Sequence, residues 1–418
     1  MSEEETTESE GSSGGKKKNA RKIFSHAALA VQDALGSVKG LTPVTYARAT
    51  RLVDVASTGS LALNLILGGG YRSGNYITIF GPESCGKSTL AQELIAACQR
   101  DGITVVHYDY ESGTDPVYMA AQGASVDHKV RLQALKVPWS KKRSGTVEVP
   151  DYFPFNPENG EQVYVHMLET LGRLPKVKSG PPKIVFIIDS QSSMQSTKLD
   201  EFTGAGQMAA NANMHSKFLA MIKPRLARRG AFIFAVNQMR SQIGSWGNPE
   251  QEAGGKAIRY WADIKLLMTA SKAEKDKSSL DIRPVKIRTT KNKTFIPYRI
   301  LDDFGLVLGR GIDKALDTRQ FLKKTGMCEI DNGRIRVKTP KYQTKSLSWK
   351  DFRTLAENEE FRAYCFSLLQ EDSTYKRFYK FDGVANFSYD AEEEEAEPTR
   401  KRRRARGRKR YVSKTEAA

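Results

Sequence analysis

Eight residues, GPESCGKS at 81–88, restrict this chain more than any other stretch of it. An apolar β-type run, YITIF (76–80), stands before them, and a helical stretch, STLAQELIAACQR, follows. A complete G-x-x-x-x-G-K-[ST] pattern between a strand and a helix reads as a phosphate-binding loop rather than a chance glycine-rich turn. Gly81 and Gly86 let the backbone curl so that N–H groups point at phosphate oxygens, and the helix N-terminus adds partial positive charge. Lys87 is placed to bridge the β- and γ-phosphates, and the Ser88 hydroxyl to ligate Mg²⁺. Pro82, Glu83, Ser84 and Thr89 complete the candidate nucleotide contacts, with Cys85 a small filler inside the loop. A second buried run, KIVFIID, ends in Asp189, a carboxylate suited to hold Mg²⁺ from the end of a strand. ATP or a related nucleotide is the expected ligand.

Further β-type runs at 103–109, 130–135, 183–189, 231–236 and 263–268 recur between residues 47 and 311, with helical stretches between several of them. Near-continuous apolar strands alternating with helices indicate an α/β core with a mostly parallel sheet covered on both faces. The pattern breaks at 137–160, which reads as an inserted loop or hairpin. Residues 312–389 read as a small mixed C-terminal domain, with helices at DKALDTRQFLKKTG and WKDFRTLAENEEFRAYCFSLL. Residues 1–22 are polar and read as disordered. Residues 23–46 hold an Ala-rich amphipathic stretch that could be an oligomerisation arm or a helix packed on its own chain. Residues 390–418 form an acidic then polybasic tail.

No apolar run approaches the length of a membrane span, and the acidic N-terminus lacks the basic–apolar order of a signal peptide. The four cysteines show no metal or disulfide spacing, which fits a reducing cytoplasm. The net charge of +18 prompts a search for a polyanionic partner. The tail does not account for it, since its basic block is partly offset by DAEEEEAE at 390–397.

The octet, preceded by STGSLALNLILGGG (57–70), resembles the RecA family of recombinases, and the resemblance runs in order over about residues 50–310. YDYESGTDPVY (108–118) is similar to the family's segment bearing the catalytic glutamate and the adenine contacts. The resemblance assigns Glu111 to activating the attacking water, and Asp115 and Tyr118 to adenine. A carboxylate just past a strand beside the phosphate loop suits that task. FAVNQMRSQIG (234–244) is similar to the nucleotide-sensing strand end, which makes Gln238 the link between γ-phosphate and DNA affinity. VKIRTTKNKTFIPY (285–298) is similar to the segment whose lysine pair, here Lys291 and Lys293, reaches the nucleotide of an adjacent subunit. Without the resemblance, a solvated lysine pair is the simpler reading.

Two loops are expected to line a DNA path: 198–216, with Met208 and Ser216, and 240–256, with Arg240, Ile243, Trp246, Gly254, Gly255 and Lys256. Glycines allow close approach to phosphates, while Met208, Ile243 and Trp246 can wedge or stack against bases. The chain departs from the family where Asn213 and Ala220 replace arginines and Gln242 replaces a lysine. Lys217, Lys223, Arg225 and Lys256 are the candidate compensations. The 137–160 insert is untypical of the bacterial proteins and is compatible with a divergent, phage-borne member.

The resemblance implies an ATP- and Mg²⁺-dependent, DNA-stimulated ATPase. It would form helical homo-oligomeric filaments on single-stranded DNA and exchange strands with homologous duplex, in the cytoplasm at a nucleoid or viral DNA. The alternatives are a helicase or branch-migration motor of the same fold, and a nucleotide-gated DNA-binding scaffold with little hydrolysis. Two readings of the block from Arg400 to Arg410 stand side by side: an address or solvated tail, and a DNA-capturing arm opposed by its acidic neighbour.

Overall fold

The structure is a computed structural model that describes residues 54–125, 152–177, 180–197, 205–241, 250–252, 255–272, 274–275 and 280–369. The expected N-terminal arm, the strand at 130–135 and the charged tail lie outside the described residues.

In chain order, β1 (Val55–Ala56), α1 (Leu61–Leu67) and β2 (Tyr71–Arg72) lead into β3 (Tyr76–Gly81) and α2 (Lys87–Arg100). Then come β4 (Thr104–Asp109), α3 (Pro116–Ala121), β5 (Tyr152–Phe155), α4 (Gly160–Arg173), β6 (Ile184–Asp189) and α5 (Ala205–Arg228). They are followed by β7 (Ala231–Ser241), β8 (Glu250–Glu252), α6 (Gly255–Trp261), β9 (Ile264–Ala270) and β10 (Glu274–Lys275). The described chain closes with β11 (Asp281–Asn292), β12 (Ile300–Val307), β13 (Gly311–Ile312), α7 (Lys314–Lys324), β14 (Cys328–Asp331), β15 (Arg334–Val337), α8 (Trp349–Glu357) and α9 (Glu359–Leu368).

The main sheet runs β13-β12-β11-β9-β3-β7-β6-β4-β5. Strands β9, β3, β7, β6, β4 and β5 are mutually parallel, and β11 to β13 add an antiparallel wing. The expected mostly parallel α/β sheet is therefore present. Every residue of β3 and β6 is buried, because helices cover both faces. On one face, Val185 and Ile187 pack with Ile77, Ile79, Leu90, Leu94 and Ile95 of α2's side. On the other, Phe186 and Ile188 pack with Tyr164 and Met167 of α4 and Leu219, Ile222 and Leu226 of α5. The period-2 split of one apolar run between two cores explains why that run carries no polar alternation.

The expected loop or hairpin at 137–160 resolves differently where it is described. Residues 152–155 form β5, the parallel edge strand on β4, with Tyr152 opposite Val105. Pro154 lies within it, and an edge strand tolerates a residue that cannot donate to the ladder. The single helical stretch expected at 349–369 is two helices. Asn358 turns extended between them, at φ −67° and ψ 122°, and its side chain caps α9 by accepting from Phe361 N. That local cap competes with helix continuation and wins.

A third core joins α7, β15, α8 and α9 to Leu61 and Leu65 of α1. At its centre Asp317, fully buried, accepts from Ser60 Oγ at 2.5 Å, Leu61 N at 2.9 Å and Ala62 N at 3.0 Å. Arg362 Nη2 is a fourth donor to it, at 2.8 Å. The carboxylate satisfies the N-terminal N–H groups of α1 from a residue far along the chain.

Beneath α4 and α5 lies a buried polar chain. Tyr76 Oη donates to Gln191 at 2.5 Å, Gln191 Nε2 to Tyr164 Oη at 3.2 Å, and Tyr164 Oη lies 2.8 Å from His215 Nδ1. Burial pulls the His215 imidazole down to about 4. Since the unfolded chain then binds the extra proton, this contribution to stability is intact above about pH 6.5 and is lost as pH falls toward 4. In urea unfolding, the stability of the wild type relative to His215→Asn is expected to drop by about 2 kcal/mol between pH 7 and pH 5. A pH-independent difference would show that His215 titrates as an exposed histidine does.

Candidate nucleotide site and DNA-facing segments

The C-terminal ends of four parallel strands meet at one crevice. Gly81 of β3 pairs with Gln238 of β7, and Asp109 of β4 pairs with Asp189 of β6. A cleft of about 510 Å³ opens there, outside the carboxyl ends of the strands, where ligands bind in open α/β sheets. Lys87, Ser88, Glu111, Tyr118, Asp189 and Gln238 all line it, so residues spread over more than 150 positions converge.

The loop geometry depends on its two outer glycines. A Cβ at Gly81 would collide with the Met268 carbonyl oxygen, and one at Gly86 with Leu306 Cδ1. Gly86 also sits at φ +97°, the left-handed region that L side chains avoid. Cys85 is buried behind the loop, as a filler should be. The Lys87 ammonium donates to the Gly81 and Pro82 carbonyl oxygens at 3.1 and 2.6 Å, so it lies over the loop at the height of its backbone oxygens. Phosphate oxygens are acceptors of the same kind with more charge. Thr89 Oγ1 lies 3.1 Å from Tyr118 Oη, tying the half-buried tyrosine to the start of α2. Asp115 caps α3, accepting from Val117 N at 2.8 Å, so its helix-start role is present.

Asp189 is almost fully buried and hydrogen-bonded to Ser88. Burial, with the charges of Glu111 and Asp109, lifts its carboxyl to about 6, against the Ser88 bond and Lys87. A buried carboxylate whose charge is disfavoured by its surroundings, next to a hydroxyl, is the oxygen donor set a hard divalent cation takes. The residues fit Mg²⁺ held by Ser88 and Asp189. Glu111 accepts from Ser190 Oγ at 2.8 Å and from Gln238 Nε2 at 3.3 Å.

Sequence reasoning missed several members of this site. Asp109 accepts from Glu111 N at 3.1 Å and from Thr114 N and Oγ1 at 3.2 and 2.6 Å. It thereby moulds the turn that presents Glu111, and its place two residues before that glutamate was the available signal. Leu306, Val307, Leu308 and Arg283 line the cleft from β12, its end and β11. No local pattern marks them, because the antiparallel wing brings them there.

Lys291 and Lys293 are not among the lining residues. Lys291 Nζ donates to the Arg259 and Tyr260 carbonyls at the end of α6, at 2.9 and 3.1 Å. Lys293 is mostly exposed, 3.9 Å from Asp263.

The expected first DNA loop needs correction. Residues 205–216 are the opening turns of α5, so Met208 and Ser216 are helical, with Ser216 exposed. Alanine-rich AGQMAANANM has high helix propensity, and buried Met214, His215, Leu219, Ile222 and Leu226 supply the 3.6-residue stripe. In the second segment, Arg240 belongs to β7, which pairs antiparallel with β8. Gly255 and Lys256 open α6. Ile243, Trp246 and Gly254 lie outside the described residues. Lys223 is not a free cation for DNA: its ammonium is paired with Asp263 and donates to the Gly74 carbonyl.

Strand order and phosphate loop together define the phosphate-loop class of α/β proteins. A model of the RecA N-terminal domain matches residues 36–135 and 133–313. The chain is 29% identical over 300 residues to Protein RecA of Synechocystis sp., covering 71% of this chain and 73% of that one. It is 28% identical over 359 residues to Protein RecA of Nostoc punctiforme, covering 83% and 88%. To Protein RecA of Methylococcus capsulatus it is 32% identical over 269 residues, covering 64% and 69%. The chain belongs to the RecA family of recombinases. No helix among the described residues is long and apolar enough to cross a membrane.

Proposed function

We propose that the protein is an ATP-dependent DNA recombinase that polymerises on single-stranded DNA and exchanges strands with a homologous duplex. The observation that carries this reading is the convergence of Lys87, Ser88, Asp189, Glu111 and Gln238 on one cleft in a chain of this family. Lys87 neutralises the β- and γ-phosphates. Ser88 and Asp189 would hold Mg²⁺, which when bound would supply further charge neutralisation at those oxygens. Glu111 orients water in line with the γ-phosphate and takes its proton. Tyr118 packs on the base, with Asp115 beside it. Gln238 trades its bond to Glu111 for one to the γ-phosphate and so biases the segment that begins at Arg240, the link between nucleotide state and DNA. Lys291 and Lys293 reach the nucleotide of the next copy, which makes turnover depend on the filament. The DNA path runs along the start of α5 and the 240–256 segment. The core ends near residue 311, with a smaller C-terminal domain after it, and the protein works in the cytoplasm.

ATP turnover with and without single-stranded DNA, on wild type and Glu111→Gln, tests this. DNA is expected to stimulate the wild type, and the variant to lose about 10²- to 10⁴-fold in rate while still binding nucleotide. Equal, near-zero rates in both proteins would instead support a nucleotide-gated scaffold.

A further inference from the structure

The cations among the residues lining the cleft are Lys87 and Arg283, and only Lys87 belongs to the phosphate loop. Arg283 stands on β11, opposite Leu306 of β12, on the wall facing that loop. One guanidinium nitrogen, Nη1, donates to the carbonyl oxygen of Ser84 at the loop's crest. Ser84 holds a left-handed conformation, φ +55°, so its carbonyl is aimed by the same turn that shapes the phosphate cradle. The Nε–H of Arg283 is buried with no acceptor. Among the described residues Arg283 has no carboxylate partner either. A guanidinium carries five N–H groups in a planar fork, no acceptor, and a permanent charge. Its engagement here accounts for one donor and leaves the charge unneutralised at the edge of a phosphate cleft.

We propose that Arg283 is a nucleotide-binding residue of this cleft: latched to the phosphate loop at Ser84, it donates its remaining N–H groups to phosphate oxygens of the bound nucleoside triphosphate. The arginine comes from the same chain as the loop, so it acts in a free protomer, unlike the lysine pair assigned to the neighbouring copy. A planar fork suits paired phosphate oxygens better than an ammonium does. The inference rests on the nucleotide reading of the cleft and goes further by adding a second cation from within the chain.

The test is equilibrium binding of ATP and ADP to the full chain without DNA, at low and high salt. Arg283→Ala is expected to weaken ATP binding about tenfold, the loss of one charge-assisted contact, and to flatten the salt dependence. Arg283→Lys, which keeps the charge, should recover most of the salt dependence. Arg283→Gln can still donate to the Ser84 carbonyl but carries no charge, so it should bind ATP as weakly as the alanine variant. The proposal is overturned if the alanine variant matches the wild type in affinity and salt dependence. It is equally overturned if the glutamine variant restores both, because Arg283 would then only brace the loop. Should the alanine variant lack a cooperative thermal transition, the lysine and glutamine variants decide on the same criteria. A wild-type chain that binds neither nucleotide would sink the reading of the cleft itself, a result distinct from any pattern among the variants.

Discussion

Lys87→Ala is expected to abolish ATP turnover and nucleotide-dependent filament growth on single-stranded DNA. The ammonium is a buried cation at the mouth of the loop, 3.1 Å from the Gly81 carbonyl and 2.6 Å from that of Pro82. Removing it leaves the β/γ oxygens without the fixed charge that stabilises them as the bond to the leaving group breaks. Loss of one preorganised electrostatic contact of this kind costs about 10²- to 10³-fold in rate, and here weaker nucleotide binding adds to it. The fold should survive, because the lysine's present hydrogen bonds go mainly to two carbonyls of the phosphate loop, those of Gly81 and Pro82, and no carboxylate is left unpaired when it is removed. Steady-state hydrolysis, with a thermal melt as control, checks this. Normal turnover in a folded variant would refute the assignment of the site.

The second large effect lies far from the chemistry. Asp317→Ala is expected to destabilise the chain by about 3–5 kcal/mol, because it leaves the Arg362 guanidinium buried without its carboxylate and strips the acceptor from two α1 N–H groups. Arg362 is also bonded to Thr318 Oγ1 at 2.8 Å, so the side chain cannot simply swing into solvent. Asp317→Asn should lose less, since an amide oxygen can still accept from α1. Urea unfolding of both variants measures it. A loss under about 1 kcal/mol for alanine would place this pair with ordinary surface ion pairs. The two centres are separate enough that nucleotide affinity of folded Asp317→Asn should stay at the wild-type level.

Much of the site was legible because its signals are local. A phosphate loop must have its glycines, lysine and hydroxyl at fixed offsets, and it must follow a strand and start a helix; all of that is written contiguously. Buried parallel strands announce themselves as unbroken apolar runs, as in β3 and β6. The antiparallel wing was harder to see. In β11 the buried Val285, Ile287 and Thr289 alternate with exposed Lys286 and Arg288, a short period-2 pattern rather than a continuous apolar run. Arg283 and Leu306 carry no local signal at all, since only the pairing of β11 with β12 sets them side by side. At α5 the composition was ambiguous, since glycine and alanine together read as either loop or helix. Burial of Met214 and His215 decided it.

What the sequence alone determined is the identity of the groups that can do chemistry. Glu111, Asp189, Gln238 and Lys87 each stand at the end of a recognisable strand or at the start of a helix, and their residue types already limit what each can do. Which of them meet was decided by the sheet. The order β9-β3-β7-β6-β4 sets Gly81 beside Gln238 and Asp109 beside Asp189, and neither pairing follows from spacing along the chain. The fate of individual charges was decided there too. Lys223 looks like any exposed basic residue until Asp263 closes on it, and Arg283 looks like a strand residue until β11 lays it against the phosphate loop. Local sequence sets conformational preference and chemical type, but a charge's role depends on which opposite charge, carbonyl or ligand lies within a few ångströms. Only long-range strand pairing fixes that distance.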